Sequence, residues 1–169
     1  MHTLDEMNQG TFDMAVDLIS TARKVYVVGV RSAACLAQFL AFYLRLIVNN
    51  VELVTTTSSS EMFEQMLKVS DKDVVIGISF PRYSMRTLKA MEFANDRNAK
   101  VIAITDSQHS PMNLYSSCNL FARSDMVSIV DSLVAPLSLI NALVVGLCMR
   151  CPEEVKNNLK MLENTWDNY

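Results

Sequence analysis

Three polar loops contain the residues of this chain that could bind a ligand, and each follows an apolar stretch. The loops are Gly29–Ser32, Thr55–Ser60 and Ser79–Ser84, and Arg31 and Arg82 add positive charge to them. Hydroxyl groups and free backbone amides at a helix start are the donors that a phosphate requires. Arginine would add charge-assisted hydrogen bonds of about twice the neutral strength. Any one loop could be an ordinary helix cap, but together the three predict a site for an anionic ligand.

The stretch Asp73–Asp106 predicts the framework that positions the third loop. Val74–Ile78 and Val101–Ile104 are short apolar runs typical of strands buried on both faces, and an amphipathic helix lies between them. Such a βαβ unit pairs its two strands in parallel. Because ligands of open parallel sheets sit beyond the carboxyl ends of the strands, Ser79–Ser84 lies where a ligand is expected.

The whole chain predicts an α/β fold, a three-layer αβα sandwich around a five-stranded, parallel, doubly wound sheet in one domain of residues 1–169. The other predicted strands are Lys24–Val28, Val51–Val54 and Asn119–Ala122. The other predicted helices are Thr11–Ala22, Ala33–Val48, Glu61–Val69, Ser128–Met149 and a last one from about Cys151 to Trp166. Asn8 or Thr11 is expected to cap the first helix.

Composition excludes several classes of protein. The 169 residues carry a net charge of −3, half are hydrophobic, and the basic residues form no visible patch, so no nucleic-acid surface is expected within them. No apolar run reaches the roughly 18–20 residues of a membrane span without interruption, and the start does not resemble a signal peptide. A cytoplasmic protein without a membrane partner is expected. The glycine patterns of dinucleotide and nucleoside triphosphate sites are absent from the sequence.

The four cysteines predict neither a metal site nor a redox site. Cys148 and Cys151 form a CxxC pattern, but no second pair or nearby histidine would complete a zinc site. A redox CxxC is expected at a helix N-terminus, where the thiolate is stabilised, whereas this one follows a long helix. Reduced, half-buried thiols are the expectation.

Three motifs carry a resemblance to a known family. Gly29–Ser32, followed by a helix, resembles the opening of SIS (sugar isomerase) domains, and Ile78–Ser84 resembles their I-S-x-S-G-x-T phosphate loop. The segment Ala99–Met112 (AKVIAITDSQHSPM) is similar to their A-K-V-I-A-I-T-D/N…S-P-L segment and is the most specific match. The resemblance covers about Asp5 to Arg150. Through Ala122–Leu133 it is closest to the effector domains of RpiR/MurR-type transcription regulators.

That resemblance implies a function. In such regulators a helix-turn-helix domain binds DNA and the SIS domain senses a phosphosugar, so we expect a phosphosugar-binding effector domain without a cofactor. DNA would be bound only by a helix-turn-helix domain outside this chain, joined near Met1. The expected ligand-binding residues are Gly29, Arg31, Ser32, Ser59, Ser79, Arg82, Tyr83 and Ser84. A homodimer or higher oligomer is also expected, since Ala33–Val48 and Ile129–Met149 carry more apolar surface than one small sheet needs.

The phosphate loop departs from the family pattern at two positions. Pro81 and Arg82 replace the second Ser and the Gly, so the loop loses one backbone N–H and the conformational freedom of glycine. We therefore expect that it cannot cradle phosphate through its backbone in the usual way. Either the Arg82 guanidinium replaces the lost donors, or the loop no longer binds phosphate. The direction of Arg82, into the cleft or into solvent, distinguishes the two.

A phosphosugar isomerase is the alternative function, and it would need a base, commonly Glu or His. Isomerising SIS enzymes carry a Glu before the long helix, where this chain has Ser124, Asp125, Ser128 and Asp131. The remaining candidates for a base are Glu61, Asp125 and Asp131, although Asp125 or Asp131 would more simply cap the following helix. His109 is expected in an exposed loop. A third possibility is an interaction module whose site has decayed.

Overall fold

A parallel sheet of five strands lies at the centre of the described structure. The strands are β1 (Val25–Gly29), β2 (Val51–Val54), β3 (Val74–Ile78), β4 (Lys100–Thr105) and β5 (Cys118–Phe121). Their order is β2-β1-β3-β4-β5, and every neighbouring pair is parallel, which confirms the predicted sheet. The structure is a computed structural model, and it describes residues 8–56, 58–124, 126–127 and 129–168.

Six α-helices accompany the sheet within the described residues. They are α1 (Gln9–Thr21), α2 (Ala34–Ile47), α3 (Ser59–Gln65), α4 (Met85–Asp96), α5 (Val134–Arg150) and α6 (Pro152–Asn168). One face of the sheet packs against α1, α2 and α5, and the other packs against α3 and α4. These three layers are the predicted αβα sandwich.

Alternation along β1 shows how one strand serves both layers. Val25 and Val27 point into the cluster with α1, α2 and α5, whereas Tyr26 and Val28 point into the cluster with α3 and α4. All residues of β1 and β3 are buried, as the unbroken apolar runs indicate. In the sheet β2 lies on one side of β1, and β3 lies on the other side of β1. This switch in direction opens a crevice at the carboxyl ends of β1 and β3.

The start of α1 confirms one of its two predicted caps. The Asn8 side chain accepts a 3.2 Å hydrogen bond from the Thr11 backbone N–H. The helix ends are otherwise shifted from their predicted positions: α3 begins at Ser59 rather than Glu61 and ends at Gln65 rather than Val69. Met66 follows in a non-helical conformation, which ends the helix early.

The predicted helix Ser128–Met149 is wrong in its first turns. The helix α5 begins only at Val134, and before it two short antiparallel strands pair with each other, β6 (Met126–Val127) and β7 (Val130–Asp131). The β-branched residues of this segment favour strand pairing over a helix. Pro136 then lies in the first turn of α5, where its missing N–H costs no helical hydrogen bond.

The helix α6 lies on the outside of the structure. None of its residues is buried, and the Asn158 side chain donates a 3.0 Å hydrogen bond to the Leu46 carbonyl at the end of α2. Within the described ranges no single helix is long and apolar enough to cross a membrane. Only α5 and α6 taken together, with a bend of 100° between them, pass that test by length and composition.

The described cysteines are free thiols. Cys148 and Cys151 are half-buried, as expected, and burial raises the pKa of both thiols. Cys118 is buried, and its desolvation raises the thiol pKa to about 11. Burial thus favours the protonated form of the Cys118, Cys148 and Cys151 thiols over the nucleophilic thiolate.

Candidate functional site

A cavity of about 210 Å³ opens in the crevice beyond the ends of β1 and β3. The first and third polar loops form most of it, and two residues near β7 complete it. Its lining consists of Val30, Arg31, Ser32, Ala33, Ser79, Phe80, Pro81, Arg82, Ser84, Ile129 and Asp131. Five of the predicted ligand-binding residues are among them, namely Arg31, Ser32, Ser79, Arg82 and Ser84.

The first loop turns sharply from β1 into α2. Arg31 has a φ of 59°, in the left-handed region, and Arg31–Ala33 form a 3₁₀ turn that leads into the helix. Gly29 is required by this close approach, because a Cβ there would lie 2.8 Å from the Ala33 carbonyl oxygen and 2.9 Å from the Ala37 Cβ. Gly29 does not line the cavity of 210 Å³. Its role in this geometry is to let the strand end pack against the helix start.

The third loop is held in shape by its own hydroxyls. The buried Ser79 Oγ accepts a 3.1 Å hydrogen bond from the Ser84 backbone N–H. The Ser84 Oγ in turn accepts from the Arg86 N–H at 3.3 Å and caps α4. Both serines therefore fix the loop, and both residues line the cavity.

Arg82 adopts the backbone conformation that glycine would have at its position. Its φ is 69°, in the left-handed region, although arginine lacks the conformational freedom of glycine. The conformation costs a non-glycine residue about 1–2 kcal/mol. Such outliers concentrate at functional sites, where the surrounding structure holds them in place. Pro81 still removes one backbone N–H from the loop.

The Arg82 guanidinium bonds to a carboxylate in the cavity wall. Arg82 Nη2 lies 3.1 Å from Asp131 Oδ1, and the Ser32 hydroxyl donates a 2.7 Å hydrogen bond to Asp131 Oδ2. The Arg82 side chain is 51% exposed, whereas that of Asp131 is 14% exposed. The predicted capping role of Asp131 is wrong, because Asp131 belongs to β7 and Leu133 immediately precedes α5.

The hydrogen bond from Ser32, followed by that from Arg82, holds the pKa of Asp131 below its ordinary value. A carboxylate with a lowered pKa is a weak base, which suits charge pairing better than proton abstraction. Among the described lining residues there is no Glu or His. The described lining thus combines arginine and serine residues, which can donate to an anion, with the carboxylate of Asp131.

Two other predicted ligand-binding residues lie away from this cavity. The Tyr83 hydroxyl donates a 2.7 Å hydrogen bond to Asp106 after β4. Burial, and then the Asp106 carboxylate, raise the pKa of Tyr83 to about 12. Ser59 is the first residue of α3 and does not line the cavity either.

The predicted base candidates are scattered. Glu61 accepts a hydrogen bond from the Thr56 hydroxyl and does not line the cavity. His109 is exposed, as expected, and lines a separate cavity of about 700 Å³ beside β5. Ser124 donates a 3.2 Å hydrogen bond to the Ser132 carbonyl. The candidate Asp125 lies outside the described residues, as does Ser128 of the same segment.

Another cavity, of about 310 Å³, adjoins the cavity of 210 Å³ and shares Val30 and Arg31 with it. It is lined by Gly29, Val30, Arg31, Ala34, Gln38, Leu53, Val54, Thr55, Thr56 and Arg86. Arg86 was not predicted from the sequence, although its position two residues after a helix-capping serine is a usable signal. Gln38 was not predicted either, because a polar residue within an apolar helix gives no direction by itself.

Comparison with known proteins identifies the family. The SIS domain model matches residues 18–146. Among curated proteins, the HTH-type transcriptional regulator HexR of Escherichia coli (strain K12) is 25% identical over 171 residues, which span 96% of this chain and 56% of HexR. An uncharacterised HTH-type transcriptional regulator of Haemophilus influenzae is 25% identical over 114 residues, 68% of this chain and 39% of that protein. The chain thus spans about half the length, or less, of these relatives.

Solved structures agree with this match. The sugar isomerase domain of an RpiR transcription factor from Sphaerobacter thermophilus superposes with a TM-score of 0.90 at 27% identity, covering 96% of this chain and 90% of that domain. The NanR protein of Vibrio vulnificus, complexed with ManNAc-6P, superposes with a TM-score of 0.86 over 99% of this chain and 64% of NanR. Its 19% identity supports the fold alone. With the family model covering most of the sheet and its helices, the chain belongs to the SIS domain family.

Proposed function

We propose that this chain is the phosphosugar-binding effector domain of an HTH-type transcription regulator of the RpiR type. One observation carries the proposal: two arginines and three serines line one cavity at the sheet edge, namely Arg31, Arg82, Ser32, Ser79 and Ser84. The names of the relatives support the regulatory role, and NanR provides a relative in complex with a sugar phosphate.

The phosphate is proposed to bind in the cavity of 210 Å³. Guanidinium groups form strong, directional hydrogen bonds with phosphate oxygens, and serine hydroxyls rotate to donate to them. Arg31 is shared with the neighbouring cavity, where Gln38, Thr55 and Thr56 can bond to sugar hydroxyls. The sugar is therefore proposed to extend from the first cavity towards the second.

A homodimer is proposed through the layer that contains α2 and α5. Both helices leave large apolar side chains exposed, among them Phe42 at 57%, Val145 at 58% and Met149 at 78%. Exposed apolar surface of this kind is typical of protein interfaces. A ligand at the sheet edge would then bias helix packing at the interface and so the spacing of attached helix-turn-helix domains, which are proposed to bind DNA.

An isomerase remains the alternative function, and the site geometry supports it less well. Glu61 is bonded to Thr56 outside the cavity, and Asp131 is held by Ser32 and Arg82. We expect no aldose–ketose exchange when sugar phosphates are incubated with the protein and followed by NMR. Turnover that is lost in Glu61→Gln or Asp131→Asn would favour the isomerase instead.

The binding proposal is tested by thermal shift and calorimetry against a panel of sugar phosphates, with the parent sugars and inorganic phosphate beside them. At least one phosphorylated sugar should stabilise the protein, and its parent sugar should not. Arg82→Ala should weaken that binding about tenfold or more, since it removes a charge-assisted contact. Arg45→Ala is the matched control, because Arg45 is exposed on α2 and lies outside the described cavities. Failure of every sugar phosphate to bind would contradict the proposal.

A further inference from the structure

We propose that Asp131 is a built-in competitor for the ligand: its carboxylate occupies the position of the incoming anion, and a bound phosphate must displace it. The proposal rests on the proposed function, because it takes the cavity of 210 Å³ as the phosphate site. It adds a regulatory element to that site, supplied by the chain itself from the segment just before α5.

The contacts of Asp131 are those expected of an anionic ligand. One oxygen accepts from the Ser32 hydroxyl at 2.7 Å, and the other lies 3.1 Å from Arg82 Nη2. Ser32 belongs to the turn after β1 and Arg82 to the loop after β3, so the carboxylate bridges the two loops that line the cavity. A carboxylate and a phosphate compete for the same charge-assisted donors.

Within the ion pair of Arg82 and Asp131, the Asp131 carboxylate is the more buried partner. The Asp131 side chain is 14% exposed, and that of Arg82 is 51% exposed. Arg82 therefore reaches from the loop towards a carboxylate in the cavity wall. A phosphate that approached Ser32 and Arg82 would meet this negative charge at contact distance. The two anions repel each other strongly wherever water is partly excluded.

The charges that face Asp131 are positive. Arg82 and Arg31 both act on its carboxylate, and they help to keep it ionised at neutral pH. The competitor is thus present in its charged form under the conditions in which a sugar phosphate would bind. Two arrangements follow: Arg82 paired with Asp131 in the free protein, and Arg82 paired with phosphate in the complex.

The position of Asp131 links this exchange to α5. Asp131 is the last residue of β7, and α5 begins three residues later at Val134. Release of the carboxylate by the ligand would free the segment that leads directly into this helix. The helix α5 also carries exposed apolar side chains of the proposed dimer surface. Ligand binding in the cavity can therefore change that surface through α5 while the sheet stays unchanged.

Calorimetry with inorganic phosphate and with a hexose 6-phosphate tests the competition. Asp131→Asn keeps the side-chain shape and removes the charge, so it should tighten both affinities about tenfold, within the usual range of coupling between sites. Asp17→Asn is the matched control, since Asp17 pairs with Arg150 on the surface. Unchanged or weaker binding in Asp131→Asn would overturn the proposal, and weaker binding would mean that Asp131 holds the ligand itself.

Hydrogen exchange gives a second readout in the wild-type protein. Ligand should increase the exchange of the backbone amides of residues 129–133, whereas slower or unchanged exchange there would contradict displacement. The outcomes also separate this proposal from the function. If wild type binds sugar phosphate and Asp131→Asn binds no tighter, only the competition fails. If no sugar phosphate binds wild type but Asp131→Asn binds inorganic phosphate more tightly than wild type, the proposed function is contradicted and the competition by Asp131 is supported. If neither variant binds any phosphate, both fail.

Discussion

The Tyr83 hydroxyl donates a 2.7 Å hydrogen bond to the Asp106 carboxylate and so joins the loop after β3 to the end of β4. The Thr105 hydroxyl lies 3.2 Å from the same carboxylate oxygen and 2.8 Å from the Ser110 hydroxyl. We therefore expect Tyr83 to hold Arg82 and Ser84 in place from outside the cavity. Loss of this bond should loosen the loop without removing a ligand contact.

Tyr83→Phe should reduce stability by about 1 kcal/mol, the typical value for one hydrogen bond, and should weaken phosphosugar binding several-fold. Urea unfolding and calorimetry measure the two effects. Tyr115→Phe is the matched control, because its hydroxyl makes only a long 3.4 Å contact with Glu92 on the surface. If both variants bind like wild type, Tyr83 does not position the loop.

Asp73 should make a pH-dependent contribution to stability. Burial alone would raise its pKa, but hydrogen bonds from Arg23 and from the Ser70 backbone N–H outweigh burial and hold the pKa below the ordinary value. A carboxyl whose pKa is lowered by folding stabilises the native state above its ordinary pKa of about 4, and this contribution is lost as pH falls through the folded value.

Asp73→Asn should therefore destabilise the protein by about 2–3 kcal/mol at pH 7, and the difference from wild type should shrink as the pH falls below about 4. Urea unfolding across this range measures it. Asp71→Asn is the control, because Asp71 is exposed and lies two residues before Asp73, and it should change stability little. A difference that stays constant down to pH 3 would show that the charge of Asp73 is not the source.

If the homodimer forms through α2 and α5, a charged residue introduced into that interface should dissociate it. Phe42→Glu or Val145→Glu places a carboxylate in the proposed interface and should give a monomer at micromolar concentration by light scattering. Leu67→Glu is the control, because Leu67 is 63% exposed and follows α3 in the opposite layer. A monomeric wild type, or a dimer that persists in both interface variants, would contradict this surface.

Gly29→Ala should destabilise the protein by about 1–3 kcal/mol, because the new Cβ would lie 2.8 Å from the backbone oxygen of Ala33, and backbone cannot move aside cheaply. The same change should weaken ligand binding, since Ala33 belongs to the turn that presents Arg31 and Ser32. Thermal unfolding and calorimetry test both effects. Gly10→Ala, in α1, where a Cβ would meet only the Asn8 side chain at 3.3 Å, should not weaken binding.

Local patterns account for what could be predicted of the fold. The apolar runs before Gly29 and Ser79 are strands whose residues are all buried. Burial on both faces requires consecutive apolar residues, so these strands could be predicted from the sequence alone. The start of α5 was misplaced because residues 126–131 are apolar enough to extend a helix, while their pairing with each other depends on the surrounding structure.

The candidate site was predictable as a set of loops but not as a set of contacts. Parallel strands bring Ser32, Ser79 and Arg82 to one edge of the sheet, and that follows from topology. The bond between Ser32 and Asp131 joins residues 99 positions apart, and no local pattern indicates it. Tyr83 was expected in the cavity because it lies in the right loop, yet its direction depends on the left-handed turn at Arg82.

Arg31 and Arg82 adopt left-handed conformations that lower the stability of the protein, while their charges are proposed to bind the ligand. Glycine would adopt either conformation without strain. Relief of about 1 kcal/mol would raise the melting temperature at Arg31, and also at Arg82 where it exceeds the stability lost with the half-exposed ion pair to Asp131. A laboratory selection for heat resistance alone should therefore enrich glycine or asparagine at both positions. The survivors would be more robust proteins whose crevice had lost its positive charge, and their insensitivity to sugar phosphates would appear as an unintended result of that selection.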